Sequence, residues 1–485
     1  MRPLVLLLAL CAAARAASFA ERFEDIKRTA RPEELYAFLY ALPKGGDLHH
    51  HGGGSNRAEW VHDVCTDPAR NGGDEFYTRV RPGPAADGTP ALLFQTIRRF
   101  AYERLAPGAR ADHVRLGDLS PEQRAAWLSA LVLDRPDEGR QEFFGGLWPR
   151  KGDIERNPHV ALELLAADIR ALGAEHVRYV EAQFSADGFV DNDGNAIPAE
   201  EGVRLLKARL AQPDVAASGV TVRFQRSGLR YLPDAEARLE AAWNFAAAHG
   251  DLWVGLNLAG LEETPGGEPA RFTARLRELR RTRPPLPLSL HAGEMDGRDS
   301  HVRDSLLLGA SRIGHGVNLI KDPDTLLLLQ QSRRVLVEIN LISNRLLGYT
   351  PDLRTHPFPE YLRTGVPVCL NTDDRGVWDS NLTDEYYTAV TTYDLTWDEI
   401  VQLGRNSLAY SFAPPDVKAR LLAEYEGAVA AFAAKYLPAG SLPLLAAEHP
   451  VAYGYARRTW SFSFSAARTS PAARNTSPAA RPSSR

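Results

Sequence analysis

From Pro158 onward, short apolar runs alternate with stretches whose apolar residues recur at helical spacing. That spacing predicts helices over 158–172, 199–211, 234–249, 269–282, 300–308, 323–332 and 358–364. Each precedes an apolar strand, at 176–184, 220–224, 252–258, 286–291, 312–317, 335–341 and 366–371. One further strand comes earlier, at 43–51, where Pro43 opens it and Gly52-Gly53-Gly54 follows it. Strict alternation of strand and helix argues for a parallel sheet. Runs such as Val335–Ile339 suit strands covered on both faces. Eight such units in this length predict an α/β fold closed as a (β/α)8 barrel of the TIM type.

The remaining segments decorate that barrel. Phe23, Ile26, Leu35, Phe38, Leu39 and Leu42 fall at helical spacing and predict one or two helices over 17–42. Between the first strand and the second lies an insertion, 59–157, too long for a bare loop. It holds turn clusters, such as Asn71-Gly72-Gly73-Asp74, and helical runs near 90–105, 120–133 and 138–147. It is expected to lie over one end of the barrel. Helices are predicted at 396–410 and 415–436, so the barrel is taken as 43–412 and a C-terminal helical segment as 413–464. In the last residues, 465–485, Thr469-Ser470-Pro471-Ala472-Ala473-Arg474 recurs at 476–481, a composition that cannot bury a core.

The beginning of the chain bears on where the protein works. Arg2, the apolar run Leu4–Ala14 and Ala14-Arg15-Ala16 make a secretory signal over 1–16, too short to span a bilayer as a mature helix. No other segment is long and apolar enough to cross a membrane. An exported protein, periplasmic or extracellular, is expected. A net charge of −4 leaves no basic excess for nucleic acid or an anionic membrane surface. Beyond the signal only Cys65 and Cys369 remain. Cys369 sits in an apolar strand as a small buried thiol, so no disulfide is expected.

In a barrel of this kind chemistry sits at the C-terminal ends of the strands. The polar residues obey that rule. In Asp47-Leu48-His49-His50-His51, strand alternation puts His49 and His51 on one face and His50 on the other. His291 and Glu294 end the fifth strand, His315 the sixth, and Asp373 and Asp374 the eighth. Three imidazoles and one carboxylate suit a borderline metal, Zn2+ above others, with His49, His51, His291 and Asp373 as its ligands. A water on such an ion has its pKa lowered from about 15.7 to about 7. Glu294 is placed as a general acid. His315 and Asp374 remain to accept a proton from that water or to orient it. The set suits hydrolysis at an sp2 carbon.

Taken together, Pro43-Lys44 with Leu48-His49-x-His51, His291-Ala292-Gly293-Glu294, Arg312-Ile313-Gly314-His315-Gly316 and Leu370-Asn371-Thr372-Asp373-Asp374 resemble the adenosine deaminase family. Further matches are Asn257-Leu258-Ala259-Gly260, Ser343-Asn344, Gly365-Val366-Pro367-Val368 and Leu382–Tyr386. The signal and the long insertion resemble its secreted, growth-factor-related branch. The resemblance implies zinc on His49, His51, His291 and Asp373, and protonation by Glu294 of the purine nitrogen beside the attacked carbon. It implies action of His315 on the zinc water, with Asp374 holding water and base, and a backbone contact from Gly260 to the purine. The implied partner is a purine nucleoside; oligomeric state is left open, a dimer included.

Two departures stand out. Where the family usually has a carboxylate for the sugar hydroxyls, one or two residues after the second His, this chain has Gly52 and Gly53. Either the insertion supplies a replacement or the sugar is read weakly. The insertion also has only Cys65, so the disulfide and the receptor or dimer contacts of the secreted branch do not carry over. Rival readings are the same chemistry on adenine or a modified nucleoside, and a secreted adenosine-binding protein without turnover.

Overall fold

A computed structural model describes residues 18–84, 88 and 91–464. The signal at 1–16 and the tail at 465–485 lie outside the described residues. Eight strands form one sheet in strictly sequential order. We number them β1 (Gly45–His51), β2 (Val177–Gln183), β3 (Thr221–Leu229), β4 (Trp253–Ala259), β5 (Leu288–Ala292), β6 (Arg312–His315), β7 (Leu336–Ile339) and β8 (Val368–Leu370). Every ladder between neighbours is parallel. The ring closes through one bridge, His50 with Asp373, in which the His51 N–H donates to the Asp373 carbonyl and the Asp373 N–H to the His49 carbonyl. The predicted (β/α)8 barrel is the fold.

The lower end of the barrel is plugged by the helix Trp397–Ala409. A Cβ on Gly45 would run into the Gly404 carbonyl of that helix, and the Ser407 hydroxyl accepts from the Gly46 N–H. The glycine pair thus admits a helix where a side chain would exclude it. Two N-terminal helices, Phe19–Thr29 and Pro32–Ala41, pack against this end. Phe23, Phe38, Trp397 and Phe432 form their aromatic contact, with ring centroids 4.8–6.0 Å apart. Ser18 caps the first helix and Glu21 completes a capping box.

The insertion differs from the expected string of helices. Three short strands, Phe76–Arg79, Thr96–Arg98 and His113–Arg115, form an antiparallel sheet. The run expected as a helix over 90–105 is a strand at 96–98 and a helix only over Arg99–Arg104. Tertiary pairing to Phe76–Arg79 outweighs local helix propensity there. Further on, residues 140–151 pack Phe143 and Leu147 against Ile342, Leu347, Val377 and Trp378, which follow β7 and β8.

Candidate active site

β1 delivers its histidines as alternation requires, although it carries a bulge between Asp47 and His50. His49 and His51 face the barrel mouth. His50 faces outward, with Nε2 2.6 Å from Asp168 and Nδ1 2.9 Å from Thr372. Asp47 lies 3.2 Å from the same Nδ1. Burial works against charge on His50, but Asp168 and Asp47 outweigh it and hold its pKa up at about 10.

His49 Nε2 lies 3.1 Å from His291 Nε2, which is 3.2 Å from His51 Nε2. Asp373 Oδ1 is 3.2 Å from His51 Nε2 and 3.4 Å from His49 Nε2. The other nitrogens of two rings are already used. His49 Nδ1–H donates to Glu338 at 2.8 Å, and His291 Nδ1–H donates to Asn257 Oδ1 at 2.8 Å. In the neutral form of each ring, the form that binds a metal, Nε2 then brings a lone pair, not a hydrogen, to a common point. Lone pairs that converge without a hydrogen between them repel unless a cation lies among them. Tetrahedral zinc bonds of about 2.0–2.1 Å put donor atoms about 3.3 Å apart, so the four groups fit such an ion. Their donor atoms all lie within 4.8 Å of one another.

Beneath this cluster the barrel interior is ionic. Glu338 accepts from Arg312 Nε at 2.5 Å and from Ser289 Oγ at 2.9 Å, while Arg312 also donates to Glu181 at 2.6 Å. All three charged side chains are fully buried. The chain Glu181–Arg312–Glu338–His49 fixes the tautomer and tilt of one donor ring. Sequence reasoning missed this support, although a lone Glu within the buried run Val335–Ile339 was a signal for it.

The remaining candidates gather beside the four donors. Glu294 is buried, and burial, then the charges of Asp373 and Glu262, hold its carboxyl well above the usual range. His315 lies 3.4 Å from Glu294 through Nε2. Its Nδ1 accepts from the side-chain amides of Asn340 and Asn344 at 3.2 and 3.1 Å. Burial pushes its pKa down to about 3, so the ring is neutral and carries its hydrogen on Nε2. His315 and Asp373 both have positive φ, 63° and 55°, a backbone strain that clusters at functional sites. Asp374 is buried with Oδ1 unpartnered among the described residues, and burial, then Asp373, raises its pKa. Gly260 lies at the end of β4 with φ 107°, where a Cβ would strike the Tyr231 ring.

Glu262 was not anticipated. Its carboxylate accepts from the backbone N–H groups of Gly293 and Glu294 at 3.0 Å each, and from His301 Nδ1 at 2.6 Å. It thereby fixes the loop that carries Glu294. The turn-rich stretch around it gave no sequence signal.

His51, His291, Asp373, Glu294, His315 and Asp374 line one end of a cavity of about 460 Å3, in the range of small-molecule sites. Phe143, Phe144 and Trp148 of the insertion line its other side. The glycine run beside it is a matter of space, since none of the three has positive φ. A Cβ on Gly53 would meet the carboxylate of Glu155 from the insertion, and one on Gly54 would meet that of Asp374. Gly54→Ala is expected to leave a folded barrel but to displace Asp374 and lower kcat by about tenfold or more. Circular dichroism and steady-state rates check this; unchanged kcat would mean that Asp374 need not sit where it does.

The family model described as adenosine deaminase matches residues 150–427, more than half of the chain. An adenosine deaminase of Enterococcus faecalis is 34% identical over 261 residues, 53% of this chain and 74% of its own length. An adenosine deaminase of Aedes albopictus is 30% identical over 414 residues, 80% of this chain and 73% of its own. In structure, the adenine deaminase from Arthrobacter aurescens matches with a TM-score of 0.58 at 20% identity, covering 80% of this chain and 99% of that one. That last likeness speaks to the barrel. The two sequence relatives and the family model speak to descent, and His51, Gly260, His291, Glu294, His315, Asp373 and Asp374, each from a motif that carried the resemblance, meet in one cavity. The chain belongs to the adenosine deaminase family and is an aminohydrolase.

Proposed function

We propose that this protein carries out zinc-dependent hydrolytic deamination of adenosine, or a closely related 6-aminopurine nucleoside, giving inosine and ammonia. One observation carries the reading: four donors converge with free lone pairs beside a carboxyl group that burial keeps protonated. His49, His51, His291 and Asp373 would hold the ion, and three nitrogens with one oxygen favour Zn2+. Bound there, zinc supplies Lewis acidity and brings the pKa of water near neutrality, to about 7.

The chain's own groups complete the reaction. The backbone at Gly260 receives the purine. Glu294 donates its proton to the ring nitrogen next to the carbon under attack, which makes that carbon more electrophilic. His315, held through Nδ1 by two amides, offers its Nε2–H to the oxygen that adds. Asp374, with its unpartnered Oδ1, orients the incoming water; a cation held on its neighbour Asp373 would offset the burial that raises its pKa and leave it ionised to accept that water's proton. As the C–N bond breaks, Asp374 passes that proton to the departing amino group, which leaves as ammonia, and the added hydroxyl returns its remaining proton to Glu294 as the carbonyl forms.

The named relatives support adenosine as substrate. Free adenine is the second reading, because the base alone carries the amino carbon set against Glu294. A binding protein without turnover would have no use for a protonated acid beside a metal site. Purified protein should therefore release ammonia from adenosine or deoxyadenosine faster than from adenine, and elemental analysis should find about one zinc per chain. Release from adenine alone would move the assignment to the free base. Release from none would end the deaminase reading. Export belongs to the same proposal, on the strength of Arg2, Leu4–Ala14 and Ala14-Arg15-Ala16. N-terminal sequencing of the mature protein should begin near Ala17.

A further inference from the structure

Away from the donor cluster the cavity changes character. In a purine nucleoside the carbon bearing the amino group and the nitrogen bearing the sugar lie at opposite ends of the ring system. A nucleoside that presents its amino carbon to Glu294 therefore points its sugar outward. There it meets apolar side chains: Phe143, Phe144 and Trp148 on the insertion side, Leu229, Leu261 and Leu347 around them. The aromatic wall is braced, since Phe143 packs on Phe144 and on Trp378 with centroids 4.7 and 5.1 Å apart. Leu229 is 45% exposed at the mouth, an apolar surface for a ligand to cover.

Polar side chains in this outer part are three hydroxyls, from Ser227, Tyr231 and Thr264. Among the described residues, no Lys or Arg lines the cavity, and its carboxylates all belong to the reacting end. Nearby cations are engaged elsewhere. Lys151 donates to the Gly53 carbonyl and pairs with Glu155, and Arg140 pairs with Glu263 and Asp296. Arg230 holds the Leu258 and His291 carbonyls. The glycine run has no room for a carboxylate, because Phe184, Glu155 and Asp374 occupy the space that side chains at Gly52, Gly53 and Gly54 would need. Glu155 itself does not line the cavity.

We propose that the outer part of the cavity is a subsite for an apolar group on the sugar. The preferred substrates are neutral 6-aminopurine nucleosides whose 5′ carbon bears hydrogen or an apolar substituent rather than hydroxyl or phosphate. This rests on the reading of the site as a purine nucleoside deaminase. With no charged acceptor for it, a 5′-hydroxyl gains little from the protein and pays desolvation on entering. An alkylthio group buries its methyl against the aromatic wall. A phosphate brings two negative charges against an outer lining that offers it no Lys or Arg.

The test is kcat/KM for adenosine, 5′-deoxyadenosine, 5′-methylthioadenosine and AMP on the metal-loaded full chain. We expect 5′-deoxyadenosine to match adenosine within about threefold or to exceed it. The methylthio compound should exceed adenosine by about tenfold, the usual effect of an added buried carbon group. AMP should fall below adenosine by at least about a hundredfold. In Phe144→Ser the methylthio-to-adenosine ratio should drop by about tenfold, and a ratio within one preparation is unaffected by any misfolded fraction. A preference for adenosine over 5′-deoxyadenosine beyond threefold, or AMP used at more than one-hundredth of the adenosine rate, overturns the subsite. If no compound releases ammonia, the deaminase reading falls separately. The subsite is then judged by thermal shift, which must still rank methylthioadenosine above adenosine above AMP; any other order overturns it.

Discussion

Glu294→Gln is expected to keep its metal and lose turnover by at least ~10²–10⁴-fold, the range for a general acid. Glu294 lies outside the four converging donors. Its place is set through the backbone, where Glu262 accepts from its N–H, so an isosteric amide should leave the loop undisturbed. What the amide lacks is the proton that burial and the neighbouring carboxylates keep on the acid. Elemental analysis and ammonia release on one preparation give both readings. Turnover within tenfold of the parent would mean that the ring nitrogen receives its proton from elsewhere.

The next largest effect separates two histidines of similar burial. His291→Ala removes one donor of four and leaves Asn257 without its imidazole partner. Zinc should be lost on dialysis, and activity with it. His50→Ala leaves all four donors in place but strips Asp168 and Asp47 of a buried cation. Breaking such a buried pair costs about 3–5 kcal/mol. That variant should keep its zinc while its Tm falls, since each kcal/mol is about 2–4 °C even in larger domains. Calorimetry and metal analysis on both proteins test the contrast. Equal zinc loss would mean that the outward face of β1 matters to the ion as much as the inward face does.

How far this arrangement was legible depended on which physical rule governed each part. Barrel strands are buried on both faces, so Val, Ile and Leu accumulate in them and mark them out. β3 was read short because Gln225, Arg226 and Ser227 continue the strand with polar side chains. The insertion sheet escaped because strands of three or four residues, rich in Arg and Thr, are too short to show alternation. The four donors were legible because barrel chemistry collects at strand ends. Glu262 and the two amides on His315 act through hydrogen bonds fixed only by tertiary geometry, and no spacing in the chain announces them. What keeps Gly53 and Gly54 free of side chains is the carboxylates of Glu155 and Asp374, a crowding that only the folded chain creates.

The single bridge that closes the barrel has a consequence for biosynthesis. His49 leaves the ribosome 242 residues before His291, and the His50–Thr372 contact across the seam spans 322 residues. At roughly 5–20 residues per second, the first two imidazoles wait a fraction of a minute or longer for the other donors. Early segments can adopt helices and hairpins in that time, but the full donor set exists only once β8 has emerged and met β1. The compartment in which that last strand is laid down is therefore the one whose metal supply the enzyme samples.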